Sequence, residues 1–256
     1  MVENTVLRGG LPAGLRRAGV AALAMLFPPR CIACGEAVGM DFGLCGACWA
    51  ETHFLHTGLS CDCCGAPLPG EAEGAVLCDD CLAHPRPWAR GRAALGYSGA
   101  GRRMVLALKH ADRLDLVRPM GAWLHRAAHD LIGSETVIAP IPMHRLRLIR
   151  RRYNQAALLA REVARLSGQP CIADLFRRTR ATPSQDHRSR AERFANLEAA
   201  IDITPRRAAA IRGRPVLIVD DVMASGATLS AATEAALAAG ALRVDVVTLA
   251  RAAKDA

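Results

Sequence analysis

Residues Val216 to Thr228, reading VLIVDDVMASGAT, constrain the fold of this chain more than any other stretch. Val216, Leu217, Ile218 and Val219 form an unbroken apolar run. Such a run marks a strand buried on both faces, and strands of that kind belong to parallel sheets covered by helices. Asp220 and Asp221 stand where the run ends, and a loop of small residues follows: Ala224, Ser225, Gly226, Ala227 and Thr228. A helical run then extends from Leu229 to about Ala239. In an open α/β sheet, ligands gather at the carboxyl ends of strands. A Gly-containing loop that opens a helix presents unpaired N–H groups to an anion. Like charges repel, so the two acids face something other than that anion: ribose hydroxyls, a magnesium ion, or both. The pattern is that of a site for a phosphorylated sugar. A double Asp after an apolar strand also occurs in solvated turns, receiver domains and nucleotide sites, but the chain has no GxxxxGK[ST] to make a P-loop.

The stretch resembles the 5-phosphoribosyl-1-pyrophosphate (PRPP) loop of type I phosphoribosyltransferases. Twelve of its thirteen positions fit that signature. Ala224 stands where the signature has Thr or Ser, so one hydroxyl to the 5′-phosphate is missing and weaker phosphate binding is expected.

The N-terminal third is a different kind of sequence. Cys31 and Cys34 are followed by Cys45 and Cys48, then Cys61 and Cys64 by Cys78 and Cys81. Each Cys-x-x-Cys knuckle lets two thiolates reach one metal ion from a tight turn, and Gly35, Gly46 and Gly65 supply turn freedom. Four knuckles make two tetrahedral zinc sites, paired sequentially or, since spacing alone leaves it open, in a crossed arrangement. Cys63 is surplus, and His53, His56 and His84 are alternative ligands that four cysteines per site make unnecessary. A disulfide framework would suit a secreted chain, and nothing here marks secretion. All-cysteine sites without an open position are structural, and metal would supply the folding energy that some fifty residues with few large apolar side chains lack.

The 256 residues suffice for one α/β domain and a small module. A formal charge of +9 suggests nucleic acid, yet all the basic residues except Lys109 and Lys254 are Arg, a bias that also follows from GC-rich coding. Aromatic residues are scarce beside the Arg-rich segment from Arg145 to Arg193, so no run of stacking platforms for single strands is present. The apolar stretch from Ala18 to Phe27 is too short to span a membrane, ends at Pro28 and Pro29, and reads as a short packed helix in a cytoplasmic protein. Strands are expected over Ala93–Tyr97, Thr136–Ile141, Val216–Val219 and Val244–Leu249. Helices are expected over Arg102–His110, Leu116–Asp130, Asn154–Ser167 and Ser230–Ala239. His125 and His129 share a helix face with no third ligand in sequence, the pattern of a solvated face. The organisation that follows is a lead-in over 1–30, a cysteine-rich double zinc module over 31–88 and an α/β domain over 89–256.

Three further stretches complete a family pattern. Ala107-Leu108-Lys109-His110 places one of the two lysines at a helix end. Pro140-Ile141-Pro142-Met143-His144 leaves a strand at the same sheet edge as Asp220, and runs on through Arg147 and Arg151 to Tyr153-Asn154-Gln155. Arg177 to Leu197 is polar, Arg-rich and suited to a flap, with Arg180, Thr182, Gln185, Ser189, Arg193 and Asn196 in order. With the cysteine module, these stretches resemble the ComF family of competence-associated proteins from Leu26 to Arg251. Two positions depart from the family pattern: Arg152 where Gly is usual, which predicts an altered backbone turn, and Arg188 where Leu is usual.

The resemblance implies a type I phosphoribosyltransferase fold, a parallel sheet of about five strands with a hood, preceded by a four-cysteine zinc-ribbon module. By the same resemblance, Asp220 and Asp221 would hold the ribose hydroxyls and orient Mg2+. The amides of Ala224, Ser225, Gly226, Ala227 and Thr228 would hold the 5′-phosphate, and Lys109, Pro140, His144, Arg147, Arg151 and Gln185 would meet the rest of the substrate. Three functions remain open: a transferase acting on a base or amine, a PRPP-binding module without turnover, and a DNA-uptake protein that grips single-stranded DNA or a helicase partner.

Overall fold

The computed structural model describes residues 28–143, 148–149, 151–179 and 200–252. The expectations placed on the lead-in, on His144 and Arg147, and on most of the flap, Gln185 and Arg188 included, lie outside these residues. Two compact units divide the chain between Trp49 and Ala50.

The described part of the first unit is a cysteine turn. Gly35 N–H donates to the Cys31 carbonyl, Ile32 N–H donates to Gly43, and an isolated bridge joins Arg30 to Ala37. The first turn of helix α1 (Gly46–Ala50) then carries Cys48 inward.

The second unit is built on strands β1 (Gly91–Gly96), β2 (Val137–Pro140), β5 (Pro215–Met223) and β6 (Arg243–Arg251), hydrogen-bonded in the order β1-β6-β5-β2 and parallel throughout. A separate antiparallel pair is formed by β3 (Phe176–Arg178) and β4 (Ile201–Ile203). Every residue of β6 after Arg243 is buried, as befits a central strand covered on both faces. Val216 and Ile218 join Leu229, Ala232 and Ala236 of helix α6 (Ala227–Ala238) in one cluster. Strand alternation therefore turns Leu217 and Val219 toward the other face. There helices α4 (Val117–Ala127) and α5 (Gln155–Ser167) pack on the sheet. Helix α5 shows why the segment is helical: Ala156, Leu159, Ala160, Val163 and Ala164 make one buried stripe. The Asn154 side chain caps its start by accepting from Ala156 N–H, and Gly168 stops it at φ 72°. Helix α3 (Gly99–His110) buries Met104, Val105 and Leu108 and ends on Lys109 and His110.

The expected sheet is present with four described strands where about five were expected. Two differences bear on the site. Strand β5 does not stop at Val219 but runs through both acids to Met223, because β6 continues beside it as far as Arg251. Arg152 does not alter its turn into a conformation that suits Arg: it sits at φ 63°, the left-handed region that glycine favours. Among the described residues no helix is long and apolar enough to cross a membrane.

Candidate functional site

Register places the two acids. Strand β2 ends where Pro140 pairs with Val219, and Ile141 N–H makes the last bond, to the Val219 carbonyl. Beyond that point, among the described residues, β5 is paired only with β6, so Asp220 and Asp221 stand at an edge that β2 has left. Both side chains are half-buried. The Lys109 ammonium lies 3.2 Å from Asp221 Oδ1. Asp221 N–H donates to Asp220 Oδ1 at 2.8 Å. Burial and, after it, the neighbouring Asp221 charge push the Asp220 carboxyl up to about 7, against the pull of that N–H, Lys109 and Arg178.

The loop that follows opens α6 through Gly226, which is the N-cap residue and has φ 81°. Only glycine adopts that conformation without strain. A cleft of about 250 Å³ is lined by Lys109, Asp220, Val222 and every residue from Met223 to Leu229. Asp220, a cation and the amino end of a helix thus meet in one concavity, with Ser225 Oγ accepting from Ala227 N–H at 3.4 Å. Among the described residues, the buried hydroxyls of Ser230, Thr233 and Thr248 have no hydrogen-bond partner.

Lys109 is held in place by a group that the sequence reading treated only as part of a pattern. Tyr153 OH donates to the Leu108 carbonyl at 2.8 Å, Gln155 Nε2 to the Lys109 carbonyl at 3.4 Å, and Asn154 Nδ2 to the Ile141 carbonyl at 2.9 Å. One turn therefore ties the end of α3 to the exit of β2. Arg178 is a second residue of this kind: its Nε donates to the Pro142 carbonyl at 2.9 Å, and its charge acts on Asp220. The sequence signals were the family pattern at Tyr153-Asn154-Gln155 and, for Arg178, its place in the Arg-rich stretch from Arg177 to Leu197. Arg151 is half-buried beside Tyr153 and does not line the cleft.

The cysteines gather in the sequential pairing. The sulfurs of Cys31, Cys34, Cys45 and Cys48 lie within 4.8 Å of one another, and so do those of Cys61, Cys64, Cys78 and Cys81. A tetrahedron with Zn–S bonds of about 2.3 Å has S–S edges of about 3.8 Å. Cys34 to Cys45 at 3.6 Å and Cys64 to Cys78 at 3.7 Å match that edge, so both sets fit structural zinc. Cys63 is outside both sets: it is buried, its thiol is pushed up to about 12 by burial, and its carbonyl accepts from Trp88 Nε1 at 2.6 Å. His125 is half-buried, His129 is exposed and takes part in a bond to the Arg126 carbonyl, and neither belongs to a metal cluster.

The second cysteine site is built into the sheet unit. Cys61, Cys63, Cys64 and Cys81 share a core with Trp88, Val216, Met223, Leu229 and Val246. Gly91 N–H donates to the Asp62 carbonyl, and Asp62 is gripped by Arg90 and Arg92, which also hold Asp130.

Comparisons with known proteins agree with both halves of this description. A Double zinc ribbon domain matches residues 22–82, and a Phosphoribosyl transferase domain matches residues 153–256. The chain is thus a zinc-ribbon protein with a phosphoribosyltransferase-like domain. The DNA utilization protein YhgH of Escherichia coli (strain K12) is 27% identical over 88% of this chain and 97% of its own length. Its counterpart of the same name in Salmonella typhimurium is 28% identical with the same coverage. Competence protein F of Haemophilus influenzae is 27% identical over 87% of this chain and 97% of its own length. That domain order and these relatives support a ComF family assignment.

Proposed function

We propose that the cleft between Lys109, the two acids and the 224–228 loop binds PRPP with Mg2+, and that this binding serves DNA uptake or utilisation in the cytoplasm. The observation that carries the reading is the meeting of a helix amino end, the Asp220 carboxylate and Lys109 in one 250 Å³ concavity, with Asp221 paired to that lysine. Loop amides and the dipole of α6 suit the 5′-phosphate, with Ser225 and Thr228 as the remaining hydroxyl donors. Asp220 and Asp221 suit the ribose 2′- and 3′-hydroxyls, and ligand hydroxyls or the cation would displace Lys109 from Asp221. Freed in this way, Lys109 becomes available to the pyrophosphate oxygens. The exit of β2 at Pro140, the His144 and Arg147 segment, Arg151 and Gln185 in the flap complete the pyrophosphate side of the reading. Magnesium, when bound, would supply charge neutralisation on the pyrophosphate.

The same set would support displacement at the anomeric carbon, with a carboxylate opposite the developing oxocarbenium charge and the phosphoribosyl group passing to a base or amine. The names of the relatives point to competence and DNA utilisation, and the runner-up is an accessory role in which DNA or a helicase is gripped without turnover. Calorimetric titration of the zinc-loaded protein with PRPP and Mg2+ tests the reading, beside Asp220→Asn/Asp221→Asn. The expected result is micromolar binding that the double variant loses. Equal affinity of the two proteins would end the assignment of the acids, and no binding by either would leave the fold as a scaffold and favour the DNA-gripping role.

A further inference from the structure

The phosphate loop is fastened from behind by two buried arginines, and both are anchored on the second cysteine site. Arg86 is 2% exposed at its side chain. Its Nη2 lies 2.6 Å from Asp80 Oδ2, on the short helix that carries Cys81, while its Nη1 donates to the Ser225 carbonyl at 2.8 Å. Arg251 is 5% exposed and donates through Nη1 to the Met223, Ala224 and Ala252 carbonyls. Its Nη2 faces Cys64 Sγ at 4.0 Å. Trp88 completes the seat: its indole N–H is bonded to the Cys63 carbonyl, and a Cβ on Gly226 would stand 3.0 Å from its ring tip. Three consecutive carbonyls of the loop, Met223, Ala224 and Ser225, are therefore held by side chains whose other ends rest on the cysteine turn.

The two cations are not equally provided for. Arg86 has the Asp80 carboxylate. The Nε of each lacks a partner among the described residues, but Arg251 meets only carbonyls and a cysteine sulfur there and no carboxylate. A buried guanidinium without a counter-charge is costly. Four thiolates around Zn2+ carry a formal charge of about −2, which a loaded site would place at the Nη2 end of Arg251.

We infer that Arg86 and Arg251 are positioning residues that make the anion-binding shape of the 223–228 loop depend on metal at Cys61, Cys64, Cys78 and Cys81. The inference deepens the PRPP reading of the same cleft and rests on it for the ligand, but the coupling of metal site to loop stands on its own contacts. By reciprocity, whatever orders the loop also tightens the second metal site.

The test uses full-length protein with two zinc ions per chain, confirmed by metal analysis, and compares wild type with Arg251→Lys and Arg86→Lys. Lysine keeps the charge but cannot span both anchors as the guanidinium fork does. Amide hydrogen exchange is followed in peptides covering 222–229, with the 243–249 stretch of β6 as the internal reference. About tenfold or faster exchange in the loop alone is expected for the zinc-replete variants, together with release of one zinc at lower chelator concentration. In wild type, PRPP with Mg2+ should slow the loss of that one zinc, and in Arg251→Lys it should not. Unchanged loop exchange in zinc-replete variants would overturn the inference. Should either lysine variant fail to fold, Asp80→Asn loosens the Arg86 anchor without adding volume and is judged by the same exchange. Faster loop exchange in the variants with no PRPP binding by wild type would retain the coupling and discard the ligand.

Discussion

Two glycines in the left-handed region measure how tightly the phosphate loop is seated. Gly168 ends α5 at φ 72°, and a Cβ added there would meet nothing within 4 Å. Gly226 opens α6 at φ 81°, where a Cβ would stand 3.0 Å from Trp88 Cη2 and 3.4 Å from Arg86 Nη1. For Ala in either place, the left-handed conformation costs about 1–2 kcal/mol, offset by about 0.4–1 kcal/mol from a stiffer unfolded chain. Gly168→Ala should therefore destabilise by about 0.5–1 kcal/mol. At Gly226 the Trp88 ring cannot swing away, because it is 3% exposed and fixed by its bond to the Cys63 carbonyl. Overpacking of that kind adds about 1–3 kcal/mol, for a total of about 1.5–4 kcal/mol. The assay is urea unfolding at saturating zinc, read by fluorescence and circular dichroism, with the slope compared between variants to keep the two unfolded states comparable. If Gly226→Ala costs no more than Gly168→Ala, the loop is not seated on Trp88, and the account of its anchoring fails.

Two further outcomes follow from the geometry. Arg152 holds a φ of 63°, so Arg152→Gly should stabilise the protein by about 0.5–1 kcal/mol in the same unfolding assay, whereas Arg152→Ala should leave the strain in place. Asp220 is held protonated toward about 7 by burial and by Asp221, so recognition of a cation or ribose through it must release a proton. Because the folded carboxyl lies above its unfolded value, it favours the fold below that value and withdraws this contribution as pH rises toward 7. PRPP affinity should move the opposite way, weakening by up to about tenfold per unit as pH falls below 7. Calorimetry in buffers of different ionisation enthalpy measures the proton released, and Asp220→Asn removes that part while leaving the ligand's own titration.

Much of this was legible in the chain, and the missing part has a physical reason. An apolar run followed by two acids, small residues and a helix defines strand, edge and loop, because each step has its own local cause: burial on both faces, absent pairing, left-handed φ at Gly226. The cysteine spacing carries its own geometry in the same way, since a knuckle is closed within a few residues. The strand end was misplaced by the acids themselves, which look like a boundary; the partner that prolongs β5, β6, lies some thirty residues downstream. Long-range pairing overrides a local polarity signal.

What no local pattern shows is that the second ribbon is tied to the 223–225 carbonyls of the candidate site. Arg86 and Trp88 follow the last knuckle at the very end of the cysteine module, and Arg251 closes a strand at the far end of the chain. They meet because β1 places Gly91 against the Cys63 carbonyl, where an added Cβ would lie 2.2 Å from the oxygen, and because β6 brings Arg251 alongside Met223. The Met223, Ala224 and Ser225 carbonyls are acceptors, and buried carbonyls are fixed by donors. Here the donors are guanidinium groups, and guanidinium groups buried at 2% and 5% exposure require counter-charge. A carboxylate serves Arg86 from the cysteine helix, and the thiolates of a loaded zinc site would serve Arg251. Losing that metal would loosen the loop from behind, and on the inference proposed above that would make the second ribbon part of the anion site rather than a staple beside it.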